Sequence, residues 1–182
     1  MIPDIETLDS RVVYENRWMR VREDSIRRRD GSDGIYGVVE KPDFAVIVPL
    51  ADDGRLHLVE QFRYPVGARY WELPQGSWEE DPDSDLLAVA RGELLEETGL
   101  AAEEIVRAGH LFQGYGYSTQ GYHIFVARGL SSASVQRSEK EEQDLLTAAF
   151  SLSEVEEMIA SGRIKDATTV AVLGLLRLKG MF

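Results

Sequence analysis

Glu93, Glu96 and Glu97 stand within one turn of a stretch that reads as a helix. Positions i, i+3 and i+4 share one face of a helix, and like charges placed there repel at roughly 0.2–0.5 kcal/mol per pair. A chain that keeps such a cluster on one turn has a cation to bind. Oxygen-only ligands favour hard ions, so Mg²⁺ is expected, with Mn²⁺ as a substitute. Taken alone, the three residues also fit a solvated face of an acidic helix.

The elements that must position this turn can be read on either side of it. Leu86, Leu87, Val89, Ala90 and Leu94 give the helix an apolar face, Ser84 or Asp83 can cap its start, and Gly99 is a good stop. Residues 44–50 (FAVIVPL) form a short apolar run, expected as a buried strand. Asp52-Asp53-Gly54 turns the chain into a second strand, RLHLVEQFR, and residues 70–73 form a third, ended by Pro74 and Gly76. Residues 11–29 are expected to hold two strands, with 18–29 and 34–41 forming a hairpin about the turn at Asp30-Gly31-Ser32-Asp33-Gly34.

Further strands are expected near 106–111 and 122–127, and residues 131–143 read as a polar loop. A helix is expected from Ser153, capped by a Ser153–Glu156 box, and another from Asp166 to about Leu178 with Val170, Leu173, Leu175 and Leu176 at helical spacing. The result is a mixed α+β layered fold, with helices on the faces of a sheet.

Composition narrows the function. The chain has 182 residues, is 43% hydrophobic and contains no cysteine, so disulfides, thiol nucleophiles and zinc-thiolate sites are excluded. Its net charge of −12, from 32 acidic and 20 basic residues, argues against nucleic-acid binding. The four arginines within residues 22–29 have acidic neighbours and alternate along a strand, which is no basic patch. No apolar run is long enough to cross a membrane, and the acidic N-terminus does not read as a signal peptide, so a cytoplasmic location is expected.

Residues 76–100 resemble a Nudix box, to which Glu93, Leu94, Glu96, Glu97, Gly99 and Leu100 correspond. Gln61-Phe62-Arg63-Tyr64-Pro65, then Glu72-Leu73-Pro74-Gln75-Gly76, and Gly162-Arg163-Ile164-Lys165-Asp166-Ala167 near the end are similar to the ADP-ribose pyrophosphatase branch of that superfamily. The resemblance covers roughly residues 10–178. It implies a Nudix fold, a mixed-sheet α/β/α sandwich. Residues 1–41 would be an N-terminal antiparallel strand extension used for homodimerisation, and 42–182 the hydrolase domain. It further implies hydrolysis of the diphosphate of a nucleoside diphosphate linked to another moiety, ADP-ribose or a nucleotide sugar being favoured.

The same resemblance assigns metal ligation to Glu93, Glu97, the Gln75 carbonyl and Glu96, or places Glu96 just beside the ions. Glu96 and Glu97 thus belong to the catalytic centre, and Glu141 falls where the branch carries its general base, with Glu139 and Glu142 as rivals. Arg63 either grips a phosphate or pairs with Glu72, which makes both candidate substrate residues. Tyr117, in Gly114-Tyr115-Gly116-Tyr117, can stack on a base or ribose. His57, His110 and His123 lie on expected strands and are not expected to be catalytic.

Two departures from the box stand out. Its arginine, just before Glu93, is Gly92, and Arg91 is turned about 100° away round the helix. Gly76 is about two residues farther from Glu93 than the pattern has it, which leaves Asp83, Ser84 and Asp85 competing for the upstream acidic position. They motivate a second reading, a Nudix-fold module that binds a nucleotide without turnover.

Overall fold

The computed structural model describes residues 4–77, 84–134 and 144–182. Strand β4 (Phe44–Pro49), the apolar run of the sequence, is buried at all six positions. It runs parallel to β9 (Gly121–Ser132), in a register that sets Phe44 beside Tyr122 and Pro49 beside Ala127. β7 (Gln75–Gly76) pairs with the other edge of β4, and β8 (Leu100–Phe112) with β9, giving a four-stranded sheet in the order β7-β4-β9-β8. Alternation along a strand sends successive side chains to opposite faces. Phe44, Val46, Val48, Tyr122, Ile124 and Val126 therefore share one core, and Ala45, Ile47, Phe125 and Ala127 share the other.

Helix α1 (Leu86–Thr98) covers the second face with Val89, Ala90 and Leu94. Helices α2 (Leu152–Ala160) and α3 (Ala167–Leu178) cover the first with Val155, Met158, Val172, Leu173 and Leu176. That core also receives Leu56 and Leu58 of β5 (Leu56–Arg63), the middle strand of a second sheet with β6 (Ala68–Glu72) and β10 (Leu146–Phe150). A short 3₁₀ turn (Tyr64–Val66) links β5 to β6. A sheet covered by helices on both faces is the α+β layering expected from the sequence.

The N-terminal strands form a third sheet, β1 (Ile5–Glu15), β2 (Arg20–Arg28) and β3 (Asp33–Glu40), antiparallel throughout. Every residue of β1 is exposed, including Ile5, Leu8, Val12, Val13 and Tyr14. Most arginines here meet carboxylates, Arg22 pairing with Asp24 and Glu40, Arg27 with Asp33 and, just beyond β2, Arg29 with Asp4, while Arg28 donates to the Asp33 carbonyl. β3 is tied to the loop after β8, where Val39 N–H donates to Tyr117 O, Thr119 N–H to Val39 O and the Tyr36 hydroxyl to Gly116 O.

Several boundaries differ from the sequence reading. β8 and β9 run far beyond 106–111 and 122–127, as a long paired ribbon. Residues 100–104 and 128–132 include no fully buried position, although Leu100, Ala102 and Leu130 pack in part against the core shared with α1. β1 begins at Ile5, and residues 146–150 add a strand where none was expected. Asp85 caps α1 by accepting from Leu87 N–H. The capping box of α2 is Ser151–Glu154, two residues earlier than Ser153–Glu156. On α3 the buried stripe is Thr169, Val172, Leu173 and Leu176, whereas Val170 faces solvent.

Thr169 has no exposed surface. Its Oγ1 accepts from Leu73 N–H at 2.9 Å and donates to Asp166 Oδ2 at 2.7 Å, joining α3 to the segment that enters β7. Thr169→Val keeps the shape and strands the Leu73 N–H, so a loss of about 1–3 kcal/mol is expected in denaturant unfolding. A stability equal to wild type would show that this bond carries no net weight.

Candidate active site

The acidic turn is aimed inward. Of its three glutamates, Glu93 and Glu97 are 7% and 6% exposed, and Glu96 is half-buried. α1 presents them because the same helix face carries Val89, Ala90 and Leu94 into the core. Opposite lies the 72–76 segment, where Pro74 breaks the chain between β6 and β7 and its carbonyl accepts from Ile47 N–H at 2.9 Å. Gln75 N–H donates to Glu97 Oε2 at 3.0 Å. Gly76 lies against the Glu93 carboxylate so closely that any Cβ there would collide with it. Only glycine permits this approach.

The electrostatics of the pair point to a cation. Burial, reinforced by neighbouring Glu93 and Glu72, pushes the Glu97 carboxyl well above its ordinary value, although Gln75 N–H and Arg63 oppose the shift. A carboxylate is removed from water at high cost unless a positive partner matches it. Gln75 adds a buried amide oxygen with no hydrogen-bond partner among the described residues. Two buried carboxylates and an unmatched oxygen are a donor set that suits a hard divalent ion.

Arg63, at the end of β5, supplies positive charge beside them. Its guanidinium pairs with Glu72, which is 2% exposed and also accepts from Gln61 Nε2 at 2.7 Å. Burial acts most strongly on Arg63 and lowers its pKa, but Glu72, Glu97 and Asp166 outweigh it and raise the net value. Burial in turn raises Glu72 despite Arg63. Arg63 thus pairs with Glu72 and, with its side chain 41% exposed, also fronts an open cavity of about 730 Å³.

Arg63, Glu72, Gln75, Glu93, Glu96 and Glu97 all line that one cavity. Tyr117 does not: its exposed ring covers Gly114 in the loop bound to β3. The flanks of that loop, Gln113 and Gln120, do reach the cavity wall. Glu139, Glu141 and Glu142 lie outside the described residues, as does Asp83. Arg91 donates to Ala102 O at 3.3 Å, on β8, so its side chain is spent away from the glutamates.

Sequence reasoning overlooked Asp166, which lines the cavity, caps α3 through Thr168 and Thr169 N–H, and accepts from Gln75 Nε2 at 3.4 Å. Its position as the first residue of an expected helix was the available signal. Lys165, Lys41 and Phe44 also line the cavity, and none of them was a candidate site residue from the sequence.

Comparison with known proteins agrees with this geometry. Residues 40–172 match the model of the NUDIX domain, and residues 5–39 that of the nucleoside diphosphate sugar hydrolase N-terminal domain. The chain belongs to the Nudix family. An ADP-ribose pyrophosphatase of Mycobacterium tuberculosis is 29% identical over 95% of this chain and 82% of its own length. An ADP-ribose pyrophosphatase of Bacillus subtilis is 22% identical over 96% of this chain and 93% of its own. A crystal structure of an ADP compounds hydrolase superposes with a TM-score of 0.86 at 23% identity, over 100% of this chain and 97% of that one, which shows the Nudix fold. The separate three-stranded sheet, Ile5 to Glu40, coincides with the N-terminal match to within a residue.

Gly76→Ala should displace the Glu93 carboxylate and, if the site takes a divalent ion, weaken its binding by tenfold or more, about 1.4 kcal/mol. Thermal-shift titration with MgCl₂ measures this. A wild-type titration curve for the alanine variant would remove the close approach as the reason for glycine.

Proposed function

We propose that this Nudix protein is a Mg²⁺-dependent hydrolase that cleaves the diphosphate of an ADP-linked compound, ADP-ribose or a nucleotide sugar. The observation that carries the reading is the burial of Glu93 and Glu97 against the Gln75–Gly76 edge, at the wall of a cavity fronted by Arg63. The similarity to proteins named ADP-ribose pyrophosphatase supports the choice of substrate class.

Glu93, Glu97 and the Gln75 carbonyl would hold the metal, with Glu96 at the cavity side of the same turn. A divalent ion, when bound, supplies the positive charge that a diphosphate needs and makes a water more acidic. The protein's own part is positional. Arg63, held by Glu72 and Gln61, presents guanidinium N–H groups to phosphate oxygens. The Thr169–Leu73 bond and the Asp166 network fix the loop that carries Gln75. Glu141 is our proposed general base, with Glu139 and Glu142 as alternatives.

Gly92 supports a second reading, a nucleotide-binding module with weak or no turnover, because Arg91 is engaged with Ala102 and does not replace the missing box arginine. One assay separates the two. Incubation of ADP-ribose and ADP-sugars with Mg²⁺ should release AMP and a sugar phosphate, and Glu97→Gln should lower the rate at least about 100-fold. Turnover in excess chelator, or full activity of Glu97→Gln, would sink the metal mechanism. Ligand-induced stabilisation without product over hours would favour the binding module.

We further propose a homodimer formed through the N-terminal sheet. Support comes from the large apolar residues that β1 leaves exposed, Ile5, Leu8, Val12, Val13 and Tyr14, since exposed apolar surface of this extent fits an interaction site. Sedimentation equilibrium at micromolar concentration should give twice the chain mass. A monomer there would contradict it.

A further inference from the structure

A second cluster of metal-type ligands lies outside the cavity. His110 on β8 and His123 on β9 stand directly opposite each other in the ladder, and Asp43 immediately precedes β4. None of the three lines the diphosphate cavity. Asp43 Oδ2 lies 3.1 Å from Nε2 of His110 and 3.1 Å from Nε2 of His123. The three candidate ligand atoms all fall within 4.8 Å of one another. Ligands held at about 2.0–2.1 Å from a tetrahedral ion are roughly 3.4 Å apart, so the two oxygen–nitrogen edges are already near that length.

The surroundings are built to hold these atoms. Asp43 Oδ1 accepts from Gly121 N–H at 2.7 Å, which orients Oδ2 toward the rings. A Cβ on Gly121 would collide with His110 Nε2, so glycine is what leaves the space. Phe112 packs edge-on against His110 at 5.1 Å. Burial, with Arg107 and His110 as further causes, lowers the His123 pKa. Burial acts to raise the Asp43 pKa, but the Gly121, His110 and His123 hydrogen bonds outweigh it and lower it.

One neighbour works against an ion. Arg107 Nη2 is 2.7 Å from His123 Nδ1. A guanidinium only donates, so Nδ1 accepts, and the ring proton sits on Nε2 facing Asp43. In that tautomer a hydrogen-bonded cluster alone accounts for the distances. Ligation needs Nε2 bare and the proton on Nδ1, which Arg107 blocks. Arg107 is exposed and can rotate away.

We propose that Asp43, His110 and His123 form a second metal site, selective for a nitrogen-preferring divalent ion such as Zn²⁺, and that Arg107 is a latch on its occupancy. Imidazole suits zinc and the later transition metals, whereas the all-oxygen carboxylate site suits Mg²⁺. Three protein ligands leave a fourth position for water.

The test uses the full chain, stripped with chelator, in excess Mg²⁺ to fill the carboxylate site, and titrated with Co²⁺. Tetrahedral nitrogen–oxygen coordination gives Co²⁺ a far stronger visible band than octahedral oxygen coordination, so the spectrum reports which site fills. The wild type should show the strong band at one equivalent, and His110→Ala and His123→Ala should each weaken it at least about tenfold. Arg107→Ala, a surface change that keeps all three ligands, should bind roughly tenfold tighter. The Mg²⁺-induced thermal shift should be the same in all four proteins, which separates this site from the carboxylate one. No strong band in either the wild type or Arg107→Ala, or a band that survives both histidine substitutions, would overturn the site. Equal affinity of Arg107→Ala and wild type would overturn the latch.

Discussion

Two carboxylates buried against a backbone edge are the constraint around which the domain is arranged. Glu93 and Glu97 cannot sit in the interior unless something positive or hydrogen-bonded meets them. The chain answers from several directions: Gln75 N–H at Glu97, a glycine that lets Glu93 lie flat on β7, and Arg63 nearby. Each answer needs its own scaffold. β7 exists as two residues because β4 offers it an edge, and Arg63 is held in place by Glu72, itself buried for that purpose. Helix α1 illustrates the compromise, since its inward face is shared between aliphatic residues and acids.

The supports are drawn from distant parts of the chain. Thr169, near the start of α3, is 96 residues from the Leu73 whose N–H it accepts, and Asp166 is 91 from Gln75. Such long-range bonds turn a helix cap into part of the cavity wall. Asp166 serves the first turn of α3 and the Gln75 side chain together, so a substitution there removes a helix cap and a cavity-wall contact at once.

Local patterns carried much of this. Residues 44–49 announced a buried strand by their unbroken apolar run, and the glutamate spacing together with Glu72-Leu73-Pro74-Gln75-Gly76 announced the site. What stayed hidden is long-range. Residues 100–104 and 128–132 include no fully buried position, Leu100, Ala102 and Leu130 being partly buried against the core shared with α1, so their pairing leaves a faint periodic signature. Asp85 and Ser151 beat nearby candidates for the caps because the helices start where the core needs them, and several neighbouring side chains could equally have capped. Arg63 illustrates the other limit: its residue type allows phosphate binding or an ion pair with Glu72, and only the fold shows that it makes the ion pair while still lining the cavity.

The loop between β8 and β9 leads to a different consequence. It hangs from β3 by backbone bonds at Val39, while its two ends, Gln113 and Gln120, stand in the cavity wall. The N-terminal sheet is thus mechanically in series with the substrate's container. Any force that stiffens, tilts or removes that sheet is transmitted to the container's rim without passing through the hydrophobic cores. The outermost strands of the molecule thus share backbone bonds with a loop whose two ends stand in the cavity wall.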